Sequence, residues 1–265
     1  MARVIAVANQ KGGVGKTTTA INIAAGLAAA ERRTLLVDGD PQGNASSGMG
    51  LPRDSNVETS YEVLLDPSLA RSAVQSGVHF SNLDVLPASP DLAAAEVELA
   101  GVAGRELRMR DAIDRLRPAY DYIIIDCPPS LGLITLNMLI AADSVLIPLQ
   151  CEYYALEGLT QLMRTITAIQ NGFSPSLSIE GIVLTMFDSR LNLSRQVAAD
   201  ARAHFGELVF QSVIPRNIRL AEAPSFGKPI IGYDLASVGA QAYLGVVSEI
   251  ITRTEAKQNM DLIAI

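Results

Sequence analysis

The segment from Asn9 to Thr18 constrains the fold more than any other part of this chain, because a glycine-rich loop lies between two regular elements. Val4–Ala8 before it is a short apolar run, which predicts a buried parallel strand. Thr17–Ala30 after it is rich in alanine with apolar residues at helical spacing, which predicts a helix. Such a strand, loop and helix aim backbone N–H groups and a helix N-terminus at a bound anion. The segment therefore predicts a phosphate-binding loop.

Two lysines occupy this loop, and the ordinary pattern needs only one. Lys16 completes a Gly-Lys-Thr end in which its ammonium neutralises phosphate and the Thr17 hydroxyl reaches Mg²⁺. Gln10 stands where the usual pattern has glycine, and Lys11 is additional, which suggests that Lys11 serves the nucleotide of a neighbouring subunit. The predicted phosphate-binding residues are Lys11, Gly12, Gly13, Val14, Gly15, Lys16, Thr17 and Thr18.

Three aspartates follow apolar runs and are predicted to converge on the same phosphate. Asp126 ends the run Tyr122–Ile125, where a phosphate-loop NTPase keeps the aspartate that orients Mg²⁺, here through water. Asp38 and Asp40 follow Thr34–Val37. Asp40 projects beyond the strand, so we assign it the attacking water, with a further contact to the outer metal shell. Asp38 is expected to order the metal shell or the turn.

Strands and helices alternate along most of the chain, which predicts an α/β fold with a mainly parallel, twisted sheet covered by helices on both faces. We expect residues 1–265 to form one domain with a loose tail of about ten residues. Leu51–Asn82 shows no clear period. The predicted strands are Val4–Ala8, Thr34–Asp38, Leu83–Leu86, Tyr122–Asp126, Ser144–Pro148, Ile179–Thr185 and Val209–Ile214. The predicted helices are Thr17–Ala30, Leu92–Leu99, Arg105–Leu116, Leu131–Ala142, Leu156–Asn171, Leu193–Phe205 and Ser237 to about Lys257.

Charge is distributed unevenly over the 265 residues, whose net charge is −7. From Thr160 to Pro229 seven basic residues face five acidic ones, so this part carries +2 and the rest −9. A modest basic face and an ordinary solvated surface are both compatible with that count.

The remaining titratable residues indicate a reducing, aqueous setting. Cys127 and Cys151 lie in apolar surroundings without metal-ligand spacing and are predicted to be inert core thiols. His79 and His204 are isolated, and we assign them no chemistry. The chain begins with a predicted strand, so we expect no signal peptide and a cytoplasmic location. The apolar window Leu131–Leu149 is interrupted by polar residues and proline, so we expect no membrane span.

Five motifs together resemble the ParA/Soj chromosome-partitioning ATPases, from about residue 2 to residue 250. They are Asn9–Thr18, Val37–Asn44, Ile125–Ser130, Gln150–Gly158 and Ile214–Pro224. Gly39 and Ser189 occupy positions that vary in that family. From this resemblance we expect the short chromosomal type, without the N-terminal DNA-binding extension of some plasmid relatives.

The resemblance implies a single-domain P-loop NTPase with a deviant Walker A motif, slow intrinsic ATP hydrolysis and ATP/ADP with Mg²⁺ as ligands. It implies an ATP-bound homodimer in which Lys11 reaches the partner's phosphates, while Met186, Pro215 and Asn217 surround the adenine. The dimer would bind double-stranded DNA without sequence preference, placing the protein on the nucleoid. A ParB-type partner would stimulate hydrolysis and return the protein to monomers. The candidate DNA-binding residues are Arg190, Arg195 and Arg219.

Three other classes remain to be weighed. A MinD-like membrane ATPase needs a basic amphipathic C-terminal helix, whereas Arg253–Asp261 is charge-balanced. A metabolic P-loop ligase of the dethiobiotin-synthetase kind needs a second substrate pocket. A reductase with an interfacial iron–sulfur cluster needs a cysteine spacing that Cys127 and Cys151 lack.

Overall fold

The computed structural model describes residues 2–52, 57–152 and 155–263. Six parallel strands form one sheet in the order β3-β2-β4-β1-β5-β6. The strands are β1 (Arg3–Val7), β2 (Thr34–Asp38), β3 (Leu83–Leu86), β4 (Tyr122–Asp126), β5 (Ser144–Gln150) and β6 (Ser178–Thr185). The parallel α/β fold predicted from the alternation of elements is confirmed.

Helices connect the strands and continue after the last one. They are α1 (Lys16–Ala29), α2 (Asn44–Gly48), α3 (Ser60–Leu65), α4 (Ala95–Glu98), α5 (Arg108–Leu116), α6 (Leu133–Ala141), α7 (Ala155–Gly172), α8 (Asn192–Phe205), α9 (Ile218–Glu222), α10 (Ile230–Tyr233) and α11 (Val238–Ile263). Short 3₁₀ helices span Pro67–Arg71, Pro90–Ala93, Arg105–Leu107, Arg117–Ala119, Gly206–Leu208 and Ala223–Phe226.

Each face of the sheet is covered by its own hydrophobic core, because successive residues of a strand point to opposite faces. Val4 of β1 packs in one core with residues of α5 to α8, such as Met109 and Leu162. Ile5 packs in the other with α1 and α11, for example Leu27 and Val246. Helices therefore cover both faces, as predicted.

The predicted strand Val209–Ile214 is wrong. Only isolated bridges form there, between Ile182 and Val209 and between Phe187 and Pro215. The N–H groups of Gln211 and Ser212 instead donate to the Glu249 carboxylate of α11 at 2.9 and 2.8 Å. This side-chain acceptor draws the middle of the segment away from β6, and no continuous ladder forms.

Other boundaries also differ from the predictions. The predicted helix Leu92–Leu99 is divided into the 3₁₀ turn Pro90–Ala93 and the single turn α4. Helix α11 extends to Ile263, beyond its predicted end near Lys257. The sequence Glu255-Ala256-Lys257-Gln258 consists of strong helix formers, which accounts for the continuation. Over the described ranges, no helix combines the length and apolar character needed to cross a membrane.

Strand register brings the predicted acids together at the carboxyl edge of the sheet. Asp38 at the end of β2 pairs with Asp126 at the end of β4, and Val7 of β1 pairs with Asp126. The loop that follows β1 therefore starts beside both aspartates. Ligands of open parallel sheets bind at this edge, so the fold places the predicted site in a suitable position.

Candidate functional site

The loop between β1 and α1 has the backbone geometry of an anion cradle. Gly13 and Gly15 adopt φ values of 76° and 88°, in the left-handed region that favours glycine. Beyond the adjacent residues of the chain, nothing lies within 4 Å of where a Cβ would stand on Gly12, Gly13 or Gly15, so the space beside these glycines is open. Helix α1 begins at Lys16, directly after Gly15. The loop thus aims a helix N-terminus into open space, as phosphate binding requires.

Lys16 lies inside this loop with its side chain largely buried. Its Nζ donates to the backbone carbonyl of Lys11 at 3.1 Å. Burial lowers the pKa of Lys16, while the nearby charge of Asp126 raises it in part. An ammonium held by a backbone carbonyl and screened from water is well placed to bind an anion.

Asp126 is a buried carboxylate with no hydrogen-bond partner of normal geometry for either oxygen among the described residues. Burial raises its pKa well above the ordinary range, and the adjacent Asp38 raises it further. The neighbouring Thr17 hydroxyl lowers that pKa in part. A buried carboxylate without a partner is costly, so this position is suited to a cation or a cation-bound water.

Asp38 has the opposite character, because its oxygens are already bonded. Ser46 of α2 donates to it through both N–H and hydroxyl, at 2.7 and 2.6 Å, and the N–H of Asp40 donates at 3.2 Å. Burial raises the pKa of Asp38 to about 6, against the effect of the Ser46 bonds. Asp38 therefore holds the turn after β2, one of the two roles expected for it.

Asp40 lies beyond the strand end, and its carboxylate accepts fewer hydrogen bonds than that of Asp38. One carboxylate oxygen accepts from the Gln42 N–H at 2.9 Å, and the backbone carbonyl accepts from Gly43 at 2.8 Å. The side chain is oriented by this turn, and its second oxygen is available to a ligand or water.

Gly39, between the two acids, has a structural requirement that its sequence did not reveal. A Cβ there would lie 2.8 Å from the Asp126 carbonyl and 2.9 Å from Met138 Cε. The Gly39 N–H donates to that same carbonyl at 3.0 Å. Although the position was expected to vary, in this chain it must remain small for β2 and β4 to end side by side.

Lys11, the additional lysine, projects toward β5 within its own subunit. Its Nζ forms an ion pair with Glu152 at 3.1 Å, and its N–H donates to the Asn9 side chain at 3.0 Å. Both partners of the ion pair are more than a third exposed. The ammonium is therefore at the surface beside the phosphate loop. Tyr153 and Tyr154 of the Gln150–Gly158 motif lie outside the described residues.

Met186, Pro215 and Asn217 line a single cavity of about 240 Å³, together with Gly15 and Thr18. Thr18 follows the phosphate loop directly, so the cavity opens beside the anion cradle. Met186 has a φ of 50°, uncommon for a non-glycine residue. The Asn217 side-chain oxygen accepts from the Arg219 N–H at 2.9 Å and caps α9, which leaves its amide N–H₂ for a ligand.

Further residues line this cavity that the sequence reasoning did not identify: Thr185, Ile214, Arg216, Leu220, Ala221 and Tyr243. The Thr185 hydroxyl donates to the Val14 carbonyl at 2.9 Å and ties β6 to the phosphate loop. Tyr243 of α11 is bonded to Thr19 of α1 at 3.0 Å. Ile214 to Ala221 lie next to the predicted contacts in sequence, whereas nothing local indicated Tyr243.

The candidate DNA-binding arginines are exposed, and each has an intramolecular partner. Arg190 pairs with Asp188 at 2.7 Å and thereby lowers the pKa of Asp188 to about 2. Arg195 donates to Asn192. Arg219 contacts Glu222 at 2.9 Å and Asp234 at 3.5 Å. These exposed pairs are weak, so the arginines can exchange their partners for phosphate groups.

Cys127 and Cys151 are buried and form no disulfide, as predicted for inert core thiols. Burial raises the pKa of the Cys127 thiol well above its usual range, and Asp126 beside it adds to the shift. Burial likewise raises the pKa of Cys151 to about 11. Neither thiol is ionised near neutral pH, so neither is a reactive nucleophile.

Comparison with known proteins identifies relatives of this chain. A family model described as an AAA domain matches residues 2–179. The chromosome partitioning protein ParA of Myxococcus xanthus is 58% identical over 255 residues, covering 96% of this chain and 90% of that protein. The sporulation initiation inhibitor protein Soj of Bacillus subtilis is 51% identical over 250 residues, covering 94% and 98%.

A solved structure is also similar over nearly the whole chain. It is named cobyrinic acid a,c-diamide synthase from Mycobacterium smegmatis with bound ADP and magnesium. It is 40% identical with a TM-score of 0.83 and covers 97% of each chain. The higher identity lies with the partitioning proteins, over almost their full length. The chain belongs to the ParA/Soj family of chromosome-partitioning ATPases.

Proposed function

We propose that this protein binds Mg-ATP at the carboxyl edge of its sheet and hydrolyses it slowly to ADP and phosphate, in the service of DNA segregation. The observation that carries the proposal is the junction of the anion cradle with the cavity. Gly15 and Thr18 belong to both. A phosphate chain on the loop therefore brings an attached base to Met186, Pro215 and Asn217.

The residues fit a magnesium ion, because neither buried oxygen of Asp126 has a hydrogen bond of normal geometry within the described ranges, and the Thr17 hydroxyl lies beside them. Thr17 would bind the ion directly, Asp126 through water and Asp40 from the outer shell. Such an ion neutralises phosphate charge and orients the terminal phosphate when bound. The solved structure from M. smegmatis, with bound ADP and magnesium, supports an adenine nucleotide and magnesium as the ligands.

Asp40 is the residue to which we assign the attacking water. Its backbone and one carboxylate oxygen are fixed by the Gln42 and Gly43 N–H groups, so the other oxygen has a defined direction. A preoriented acceptor stabilises the proton that leaves water during attack on phosphorus. Asp38 is occupied by Ser46 and positions the turn.

Lys11 is proposed to act on the phosphates of a second subunit. Its ammonium lies at the surface beside the loop, held by a half-exposed Glu152. An exposed pair of this kind contributes little to stability, so a partner's phosphates can compete for the lysine. Two copies of the chain would then enclose two nucleotides as an ATP-dependent homodimer.

The dimer is proposed to bind double-stranded DNA without sequence preference through Arg190, Arg195 and Arg219. Exposed arginines whose only partners are other surface side chains suit phosphate contacts, which dimerisation doubles. A ParB-type partner would accelerate hydrolysis and release the protein as monomers. We also propose one domain over residues 1–265, located in the cytoplasm on the nucleoid.

The test is ATP hydrolysis by the full chain, measured alone, with double-stranded DNA, and with DNA plus a ParB-type protein from a close relative. We expect slow turnover alone and the highest rate with both. The alternative function, suggested by the name of the solved structure, predicts instead that cobyrinic acid raises turnover and DNA does not. Absence of hydrolysis under all conditions would contradict both.

A further inference from the structure

His79 is bonded to two loops that are remote from it in sequence. Its Nε2 lies 3.0 Å from the Met49 carbonyl and 2.7 Å from the Gly227 carbonyl. Since carbonyl oxygens only accept, Nε2 must carry the proton and donate to both. The ring therefore bridges a residue that follows α2 and a residue that follows α9.

The two bridged loops also contact each other through their backbones. Gly50 and Gly227 have φ values of 78° and 61°. A Cβ on Gly227 would lie 2.7 Å from Gly50 Cα, and one on Gly50 would lie 3.0 Å from the Gly227 carbonyl. His79 thus donates beside a contact that only two glycines permit.

One bridged loop leads to the acids. Met49 directly follows α2, and its N–H donates to carbonyls of that helix. Ser46 of the same helix holds the Asp38 carboxylate through two bonds. Asp38 in turn accepts from the N–H of Asp40 at 3.2 Å. The position of Met49 is therefore transmitted to Asp40 through one short helix.

The other loop leads to the cavity. Gly227 ends the 3₁₀ turn Ala223–Phe226, which continues from α9 without a break. Asn217, the N-cap of α9, and Leu220 within it line the cavity. Motion of Gly227 therefore displaces the segment that we propose to hold the base.

The loop that carries His79 is itself fixed. The Gly77 N–H donates to the Asp84 side chain at 2.9 Å, and the Val78 N–H donates to the Leu83 carbonyl at 2.8 Å. His79 adopts a φ of 64°, a conformation that L residues seldom take, which points to a constrained ring position.

We propose that His79 is a positioning residue for ATP hydrolysis, which holds the acid-bearing loop and the base-binding segment at a fixed separation. The inference rests on the proposed ATPase function and deepens it. It adds a residue that touches neither phosphate, metal nor base.

The kinetic test compares His79→Ala, His79→Gln and His204→Ala in the full chain. His204 is the matched control, because it is the only other histidine and its ring bonds a carbonyl of its own helix. We expect His79→Ala to reduce kcat/KM for ATP about tenfold, through both kcat and KM, since two donor contacts are lost. Glutamine offers an Nε2 donor and should restore most of this loss, and His204→Ala should match the parent.

NMR tests the bridge without relying on folding of a variant or on turnover. The parent has two histidines, so long-range ¹H–¹⁵N spectra resolve both rings. We expect the Nε2–H tautomer for His79 and the Nδ1–H tautomer for His204, whose Nδ1 faces the Asp200 carbonyl at 2.9 Å. ADP with Mg²⁺ should shift the His79 signals and leave those of His204 unchanged.

The outcomes separate this inference from the proposed function. If the parent is active and His79→Ala has the parental kcat/KM, the inference is overturned and the proposed function is not. The same holds if His79 has the Nδ1–H tautomer, or if bound ADP leaves the His79 signals unchanged. The inference is also contradicted if His79→Ala lowers the rate and His79→Gln lowers it by the same factor. A parent that neither binds nor hydrolyses ATP contradicts the proposed function, and the inference with it.

Discussion

Lys16 and Lys11 lie five residues apart in sequence and yet have different surroundings. Lys16 is largely buried and donates to the carbonyl of Lys11, whereas the Lys11 ammonium lies at the surface beside Glu152. Burial strengthens the attraction between a lysine and a phosphate because water screens it less. Replacing one lysine is therefore expected to impair a different property of the protein from replacing the other.

Replacement of Lys16 by alanine should abolish ATP binding. The change removes the positive charge held inside the loop, leaving Asp126 to repel the phosphates. Calorimetry should detect no binding at ATP concentrations that saturate the parent, equivalent to at least a hundredfold weaker affinity. Near-parental affinity would show that the loop is not the phosphate site. Arg115→Ala, an exposed arginine of α5, serves as the control.

Asp40→Ala should hydrolyse ATP about a hundredfold or more slowly and still bind it. The substitution removes the carboxylate assigned to the water and leaves Lys16, Thr17 and Asp126 in place. We expect an ATP-bound dimer to accumulate, visible by light scattering together with phosphate release. Turnover at the parental rate would transfer the role from Asp40 to another group.

At the scale of the elements, parallel register is responsible for the electrostatics of the site. β2 and β4 end in paired aspartates, and Gly39 allows the strand ends to approach closely. Burial raises the pKa of both carboxyls, and the charge of Asp38 raises the pKa of Asp126 further. The strands therefore create a negative site whose neutralisation by a cation would stabilise the fold.

The pH dependence of stability should reflect this pair. Both pKa values are raised on folding, so protonation stabilises the folded state below about pH 4. That stabilisation is lost as pH rises through the raised value of Asp38, about 6, and that of Asp126. Asp126→Asn should therefore be more stable than the parent at pH 8 by about 1–3 kcal/mol, with a smaller difference at pH 5.

Urea unfolding at both pH values, without nucleotide or Mg²⁺, checks this expectation. Asp121→Asn is the matched control, because its hydrogen bond with Arg33 lowers the pKa of Asp121 rather than raising it. Its loss should slightly reduce stability at pH 8. An Asp126→Asn protein that is destabilised equally at pH 5 and pH 8 would refute the argument.

At the scale of the whole molecule, the proposed dimer depends on Lys11. We expect Lys11→Ala to bind ATP with an affinity within about threefold of the parent, because Lys16 remains. It should lose ATP-dependent dimerisation and hydrolysis, since its ammonium is assigned to the partner's phosphates. Light scattering with ATP is the measurement, and Glu152→Gln, which removes the counter-ion of Lys11 but keeps its ammonium, should still dimerise. A normal ATP dimer of Lys11→Ala would exclude the trans role.

DNA binding should depend on Arg190, Arg195 and Arg219. Replacing one of them with glutamate puts two repulsive charges on each dimer, which should weaken binding strongly at moderate salt for all DNA sequences. The slope of log affinity against log salt should flatten by about one to two units. ATP binding and dimerisation should survive.

Gel shifts across a salt series, with variants first shown to dimerise, measure this effect. Arg115→Glu makes the same charge change outside residues 160–229 and should bind DNA like the parent. If the three variants all retain parental affinity, the DNA-binding face lies elsewhere. Arg219 is the least direct test of the three, since it lies two residues from Asn217 of the cavity and already contacts Glu222 and Asp234.

The sequence by itself determined the phosphate loop, the strands up to β6 and the acids at their ends. These features are local, because a strand needs only its apolar run and a loop only its glycines. It also singled out Met186, Pro215 and Asn217 through family resemblance, and the structure places these three around one cavity.

Only the tertiary structure decided the features that join distant segments. The Glu249 carboxylate accepts hydrogen bonds from the N–H groups of Gln211 and Ser212, and these bonds prevent a seventh strand. Tyr243 reaches the cavity from α11, and His79 reaches Met49 and Gly227 from a loop before β3. Such contacts depend on how elements pack rather than on the residues beside them in sequence, so no local period or motif indicates them.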